Sequence, residues 1–237
     1  MKNSILYIKD LKKNYGNKNI LKGVNLDLKK GHVMGLLGPN GSGKTTLVKI
    51  ITNLIEKTSG EIYIDAKLPS IDTKKIVSFL PDRNFFPPEY TALKAMKLFK
   101  DFYDDFNEKK CFKLMEFMNL ELDMKVSEMS KGMKEKFHLA MVLSRDAKLY
   151  ILDEPIAGVD PVARDKILEA IISCVNENSS MIITTHLVKD IENIFDDVCF
   201  IDDGKIVESG STEEISQKYN SDILGVYKKI FGGKEDA

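Results

Sequence analysis

The chain has no apolar run near the roughly 18 residues of a membrane-spanning helix, so any membrane role is expected to be peripheral. Its first residues, Met1-Lys2-Asn3-Ser4-Ile5, lack an apolar signal core and a cleavage site, so an intracellular protein is expected. It also lacks an excess of either charge. With 35 basic and 36 acidic residues and a net charge of -1, nothing in bulk electrostatics draws it to nucleic acid. Its three cysteines, Cys111, Cys174 and Cys199, are far apart and form no C-x-x-C. No histidine stands at ligand spacing from them, so neither a disulfide framework nor a zinc site is expected, and buried, reduced thiols are. There is no internal repeat and no low-complexity block. What remains is a 237-residue chain with 43% hydrophobic content, enough for one sizeable core with a small appended subdomain.

The stretch around which the chain is organised runs from Val33 to Thr46. An apolar strand, Val33-Met34-Gly35-Leu36-Leu37, leads into Gly38-Pro39-Asn40-Gly41-Ser42-Gly43-Lys44-Thr45-Thr46 and then into an apolar-periodic helix. This is G-x-x-x-x-G-K-[ST] in the strand-to-helix context the motif requires. Gly38, Gly41 and Gly43 let the backbone N–H groups turn inward, and the helix that follows directs the positive end of its dipole at the same point. Phosphate oxygens are the expected ligand. Lys44 is placed to reach β- and γ-phosphates, and the Thr45 hydroxyl to hold Mg²⁺.

Before this loop, Ile5–Leu11 and Ile20–Leu28 alternate apolar and polar residues around Tyr15-Gly16-Asn17, the pattern of two paired strands. Tyr15 at that turn can stack on a base or simply close the hairpin, and local sequence does not separate the two. After it, Thr46–Ile55 reads as a helix burying Leu47, Ile50, Ile51 and Leu54, followed by strands at Ile62–Ile64 and Ile76–Leu80. Residues 81–129 change character: Pro81, Pro87 and Pro88, several aromatics, and helical patterns at Thr91–Tyr103 and Glu108–Met118 mark a helical subdomain inserted between core strands. Strand and helix then alternate through Leu149–Leu152, Pro161–Val175, Met181–Thr185, Leu187–Phe195 and a hairpin, Val198–Ile201 with Lys205–Glu208. Short continuous apolar strands between amphipathic helices describe a mostly parallel sheet covered on both faces. One or two short helices are expected after Ser211, ending in a frayed Gly232–Ala237.

A second constellation is Leu149-Tyr150-Ile151-Leu152-Asp153-Glu154-Pro155, an apolar strand ending in two carboxylates. In a P-loop protein Asp153 is placed to anchor Mg²⁺ beside the phosphates, and Glu154 to polarise an attacking water as general base. Asp160-Pro161 reads as an N-cap followed by proline at the first helical position. His186 follows a strand at the carboxyl edge of the sheet, where such folds bind ligands, although a histidine there can equally be structural.

Met129-Ser130-Lys131-Gly132-Met133-Lys134 stands about twenty residues before the acidic strand. Taken with the P-loop, Asp153-Glu154-Pro155, Gly158-Val159-Asp160 and His186, it resembles the ATP-binding-cassette nucleotide-binding domain from Tyr15 to about Gly210. The resemblance implies an α/β P-loop NTPase with a RecA-like, mainly parallel core, an N-terminal antiparallel β subdomain and the inserted helical subdomain. The expected division is a core at 1–80 and 135–210, a helical subdomain at 81–134 and a helical tail at 211–237. It implies an ATPase that uses ATP and Mg²⁺. Two domains would face each other head to tail, with two ATP held between the P-loop of one and the Ser130 segment of the other. They would drive a multi-span membrane permease from the cytoplasmic face of the membrane. Tyr15 matches the adenine-stacking aromatic, Ser130 and Gly132 the γ-phosphate contacts in trans, Asp160 the residue crossing the interface, and His186 the switch that orients Glu154.

Two motifs depart from the common pattern. Lys131 and Met133 replace the first glycine and the glutamine of L-S-G-G-Q, and Asp82 in Phe79-Leu80-Pro81-Asp82 stands where glutamine is common. Asp82 can accept from Mg²⁺-bound water but cannot donate an amide hydrogen bond. The variant pattern looks like the small ATPase subunits of Gram-positive exporters of antimicrobial or amphipathic peptides and related lipid-like substrates. Phe85-Phe86-Pro87-Pro88-Glu89-Tyr90 is expected either to line a groove for a permease helix or to pack inside the helical subdomain. A P-loop kinase is disfavoured by Ser130, Glu154 and His186. A cassette protein acting on nucleic acid or ribosomes is disfavoured by the single cassette and the absence of sustained heptads.

Overall fold

Two long antiparallel strands, β1 (Ser4–Tyr15) and β2 (Lys18–Lys29), open the fold in the computed structural model, which describes residues 3–157 and 159–232. They turn at Gly16, whose φ of 54° lies in the left-handed region. β3 (Val33–Leu37) carries the chain into the P-loop, and α1 (Lys44–Ile51) leaves it. β4 (Ser59–Ile64) returns to pair with β1, giving a three-stranded antiparallel sheet in the order β2-β1-β4. A short helix, α2 (Ile71–Lys74), precedes β5 (Val77–Leu80). α3 (Ala92–Phe102), α4 (Glu108–Phe117) and α5 (Lys131–Leu143) then form the crossover to β6 (Leu149–Asp153), which lies parallel to β5. α6 (Pro161–Cys174), β7 (Ser180–Thr185), α7 (Val188–Ile191), β8 (Asp197–Asp202), β9 (Lys205–Ser211), α8 (Thr212–Tyr219) and α9 (Ile223–Phe231) complete the chain.

The second sheet has the order β5-β6-β7-β3-β8-β9, parallel except for β9. β3 sits between β7 and β8, with Gly35 opposite both Ile183 and Val198. Every residue of β3, β6 and β7 is buried, because one face packs on α1 and the antiparallel sheet and the other on α5, α6 and the C-terminal helices. That two-sided burial explains why these strands read as unbroken apolar runs. Leu47, Val48, Ile50 and Ile51 anchor α1 in the first core, and each such side chain contributes about 1.5–3 kcal/mol. The P-loop is therefore held at both ends by rigid, fully packed elements.

Several local expectations shift. The helix after the P-loop starts at Lys44 and ends at Ile51, with Asn53 at φ 54°. Leu54, expected on its buried face, is 56% exposed. The helix expected over Leu187–Phe195 is one turn of α7 followed by a 3-10 turn at Glu192–Ile194. The reason is packing: Phe195 must enter the core beneath Gly35, where an added Cβ would lie 2.6 Å from its ring. α2 went unread because its signal is local capping, the Ser70 and Thr73 side chains each bonding the other's backbone N–H. Cys111, Cys174 and Cys199 are free and buried, as expected. Gly158 and the expected fraying after Gly232 lie outside the described residues.

Candidate functional site

The P-loop geometry follows from its glycines. Gly41 (φ 79°) and Gly43 (φ 113°) occupy the left-handed region, and a Cβ on Gly38 would lie 2.2 Å from the Ile201 carbonyl oxygen. The buried Lys44 folds back over the loop and donates from Nζ to the Gly38 and Pro39 carbonyls at 2.6 and 3.1 Å. Burial lowers its pKa, opposed by the nearby charges of Glu154 and Asp153. Ser42 Oγ is buried without a hydrogen-bond partner. A buried orphan hydroxyl is costly, and one beside a helix N-terminus is a natural ligand contact.

Asp153 ends β6 and Glu154 begins the turn after it. Thr184, opposite them on β7, organises both: its hydroxyl donates to Asp153 Oδ1 at 2.5 Å and accepts from the Glu154 N–H at 3.1 Å. The Glu154 N–H also lies 3.1 Å from the Thr184 carbonyl oxygen. Asp153 is 2% exposed, and its Oδ2 has no hydrogen-bond partner of full geometry. Burial raises its pKa; Thr184 and Thr45 oppose the rise, while the charges of Asp82 and Glu154 add to it. A hard cation with the Asp153 oxygen and the Thr45 hydroxyl as ligands would relieve both the orphan oxygen and the charge cost. Among the described residues no group of three or more His, Cys, Asp or Glu could cage a metal, so water and phosphate oxygens would complete the shell.

Glu154 holds a positive φ of 53°, a conformation costly for a non-glycine residue and concentrated at working sites. Its two carboxylate oxygens lie 3.1 and 3.0 Å from His186 Nδ1. Asp82 is exposed beside the same acids, its nearest cation being Arg83 at 3.9 Å. Tyr15 closes β1, is 51% exposed, and has the Lys13 ammonium 4.7 Å from its ring centroid.

The remaining residues form a separate group. Ser130 caps α5 by accepting from the Met133 N–H at 3.2 Å. Asp160 caps α6 by accepting from the Ala163 N–H at 3.0 Å. The two caps are neighbours, because a Cβ on Gly132 would lie 3.7 Å from Asp160 Oδ2. Among the described residues no hydrogen bond or ion pair joins Ser130, Gly132 or Asp160 to the P-loop. One chain thus presents the P-loop with its acids and histidine and, not hydrogen-bonded to the loop, two neighbouring capped helix N-termini.

The ABC transporter family model matches residues 21–157, from β2 through the P-loop to the turn after Glu154. The chain belongs to the ABC transporter family. The cassette is 36% identical over 229 residues to the lantibiotic transport ATP-binding protein SrtF of Streptococcus pyogenes, covering 93% of this chain and 98% of that one. It is 32% identical to the Nod factor export ATP-binding protein I of Burkholderia orbicola, covering 92% of this chain and 75% of the other. The solved structure of an ATP-binding subunit of an ABC transporter superposes with a TM-score of 0.87 at 25% identity, covering 95% and 99% of the two chains. A dimeric ATP-binding cassette in a post-hydrolysis state with ADP and Pi shares the fold, with a TM-score of 0.77 at 23% identity over 87% of this chain and 98% of that one. This cassette is an ATP-binding subunit and an ATPase.

In the variant signature, Ser130 and Gly132 stand between substituted neighbours. Lys131 points to solvent and its charge acts on Glu135 one turn along α5, while Met133 packs against the core. The Phe85–Tyr90 loop packs in part inside the helical subdomain. Phe86 is buried against Phe99, Phe137 and His138, whereas Phe85 reaches the rim of a groove of about 700 Å³ between α1 and the helical subdomain. Asp82, Leu54 and Tyr103 share that groove. Sequence reasoning missed Thr184; a hydroxyl residue ending the apolar run Met181-Ile182-Ile183 was the available signal, and the structure buries it completely.

Proposed function

We propose that this cassette works as one half of a pair that closes head to tail around two ATP and so drives a separate membrane permease. The observation that carries this reading is that, among the described residues, no hydrogen bond or ion pair joins the P-loop group to Ser130, Gly132 or Asp160 within one chain. Neither surrounds a nucleotide alone, and each is what the other needs if supplied by a second copy or a homologous subunit. In this reading Gly38, Pro39, Asn40, Gly41, Ser42, Gly43, Lys44, Thr45 and Thr46 cradle the phosphates and Tyr15 stacks on the adenine. Thr45 and Asp153, with Asp82 beside them, hold Mg²⁺, which would neutralise phosphate charge. Glu154 takes the proton of the attacking water, and His186 holds Glu154 and the γ-phosphate in register. Loss of the γ-phosphate contacts reopens the pair, which is a ligand-driven two-state switch.

Residues 1–80 and 135–210 would then be the nucleotide-binding core, 81–134 the helical subdomain and 211–237 the tail. The groove rimmed by Phe85 is the seat for a cytoplasmic helix of the permease, and the cassette would work on the inner face of the membrane. The names of its relatives support an exporter of peptides or other amphiphiles.

The test is Glu154→Gln in the purified chain. ATP should still bind, hydrolysis should fall by about 10²-fold or more, and an ATP-dependent dimer should accumulate by light scattering. Turnover near that of the unaltered protein would overturn the assignment of Glu154. A strictly monomeric variant at saturating ATP would overturn pairing between copies of this chain.

A further inference from the structure

We infer that Arg164 and Asp190 form a strut coupling the Val159–Asp160 loop to the His186 switch, so that docking at Asp160 sets the position of the Glu154–His186 pair. The inference rests on the proposed paired site, and Arg164 and Asp190 act in it as positioning residues.

Arg164 lies one turn into α6, where its backbone N–H donates to the Asp160 carbonyl at 2.9 Å. Its guanidinium is divided between two elements. Nη1 pairs with Asp190 Oδ2, and Nη2 donates to the Val159 carbonyl at 3.2 Å. Nε is buried and has no partner. Both side chains of the ion pair are mostly shielded, 22% and 30% exposed. Asp190 belongs to α7, which begins two residues after His186 and hangs from the end of β7 through the Leu187 N–H bonded to Thr185 Oγ1 at 2.9 Å.

The links run from Asp160 through Arg164 and Asp190 to α7, then to His186 and Glu154. A planar guanidinium fork fixes both distance and orientation, which a single-point lysine contact does not. α7 is only four residues long and is followed at once by a 3-10 turn, so its own hydrogen bonds restrain it weakly. Val188 and Ile191 seat α7 in the core, and the Arg164 fork adds a charged link between it and the loop. A displacement near 1 Å at a catalytic pair is enough to cost a large factor in rate.

The experiment is a double-mutant cycle in the full chain: Arg164→Gln, Asp190→Asn and both together. It reads kcat, KM for ATP, binding of a fluorescent ATP analogue, and the melting temperature. Each single variant should lower kcat by about tenfold, with analogue affinity within about twofold, and the pair should lose no more than the worse single. Losses that multiply in the double variant, a loss confined to KM, or unchanged kcat in both singles would overturn the strut. Asp190→Asn guards against a folding defect in Arg164→Gln, because its carboxylate is partly solvated; a kcat loss seen only where the melting temperature also falls counts against the inference. Should the unaltered protein hydrolyse ATP and its Glu154→Gln form dimerise while these variants behave as wild type, the strut alone fails. If neither basal result appears, the paired-site reading fails and takes the strut with it.

Discussion

His186 Nδ1 stands 3.0 and 3.1 Å from the two carboxylate oxygens of Glu154, which itself sits in a left-handed backbone conformation after β6. The histidine comes from the end of β7, the neighbouring strand, so sheet register brings the two together. A carboxylate held this way keeps its orientation; its own side chain is 16% exposed, while that of His186 is 41% exposed. Replacing His186 by alanine should lower kcat by about 10²- to 10³-fold and leave the affinity of the single chain for nucleotide nearly unchanged. Steady-state hydrolysis and direct binding titrations separate the two quantities, and parallel losses in both would count against an orienting role.

Asp153 supplies a prediction with an unusual sign. Burial raises its folded-state pKa, so holding it ionised at neutral pH costs stability in the nucleotide-free protein. That penalty is absent below the unfolded carboxylate pKa and fully present above the folded one. Asp153→Asn should therefore raise the melting temperature of the nucleotide-free chain at pH 7, an advantage that shrinks as pH falls, while hydrolysis is lost. Calorimetry across pH tests it; a lower melting temperature at pH 7 would contradict it.

His138 behaves oppositely. Burial among Phe85, Phe86 and Phe137, and secondarily the charge of Lys134, depress its pKa to about 4. Its stabilising contribution is complete above the unfolded value near 6.5 and is lost as pH falls toward 4, amounting to about 3 kcal/mol. Urea denaturation of His138→Phe should show a flatter stability profile between pH 6.5 and 4 than the unaltered protein. An equally steep profile would place the acid sensitivity elsewhere.

Arg145 joins the helical insertion to the core. It grips Asp105 through two nitrogens at 2.8 and 3.0 Å, donates to the Val77 and Lys75 carbonyls at 2.7 and 2.8 Å, and lies 3.9 Å from the Tyr103 ring centroid. Arg145→Ala should destabilise by about 2–4 kcal/mol, visible as a lower urea midpoint. Arg145→Lys should recover little of it, because a single ammonium cannot serve the fork. A change below about 0.5 kcal/mol would show that the other packing suffices.

By itself the sequence determined the elements whose chemistry is local. The P-loop was legible because glycine spacing, a preceding apolar strand and a following helix are all short-range constraints. The caps at Ser130 and Asp160 were legible for the same reason, as were the buried strands β3, β6 and β7. It also overextended the helices after the P-loop and after His186, because Leu54 and Phe195 take their places from tertiary packing that periodicity does not record. Only the tertiary structure decided what depends on register between distant strands: Thr184 bridging Asp153 to Glu154, and His186 meeting Glu154 from the next strand. It likewise decided that Gly132 lies against Asp160, and that Arg164 reaches Asp190 across two helices. The physical reason is that the energy of such contacts resides in pairs far apart along the chain, and a pair distance exists only once the sheet has set its strand order.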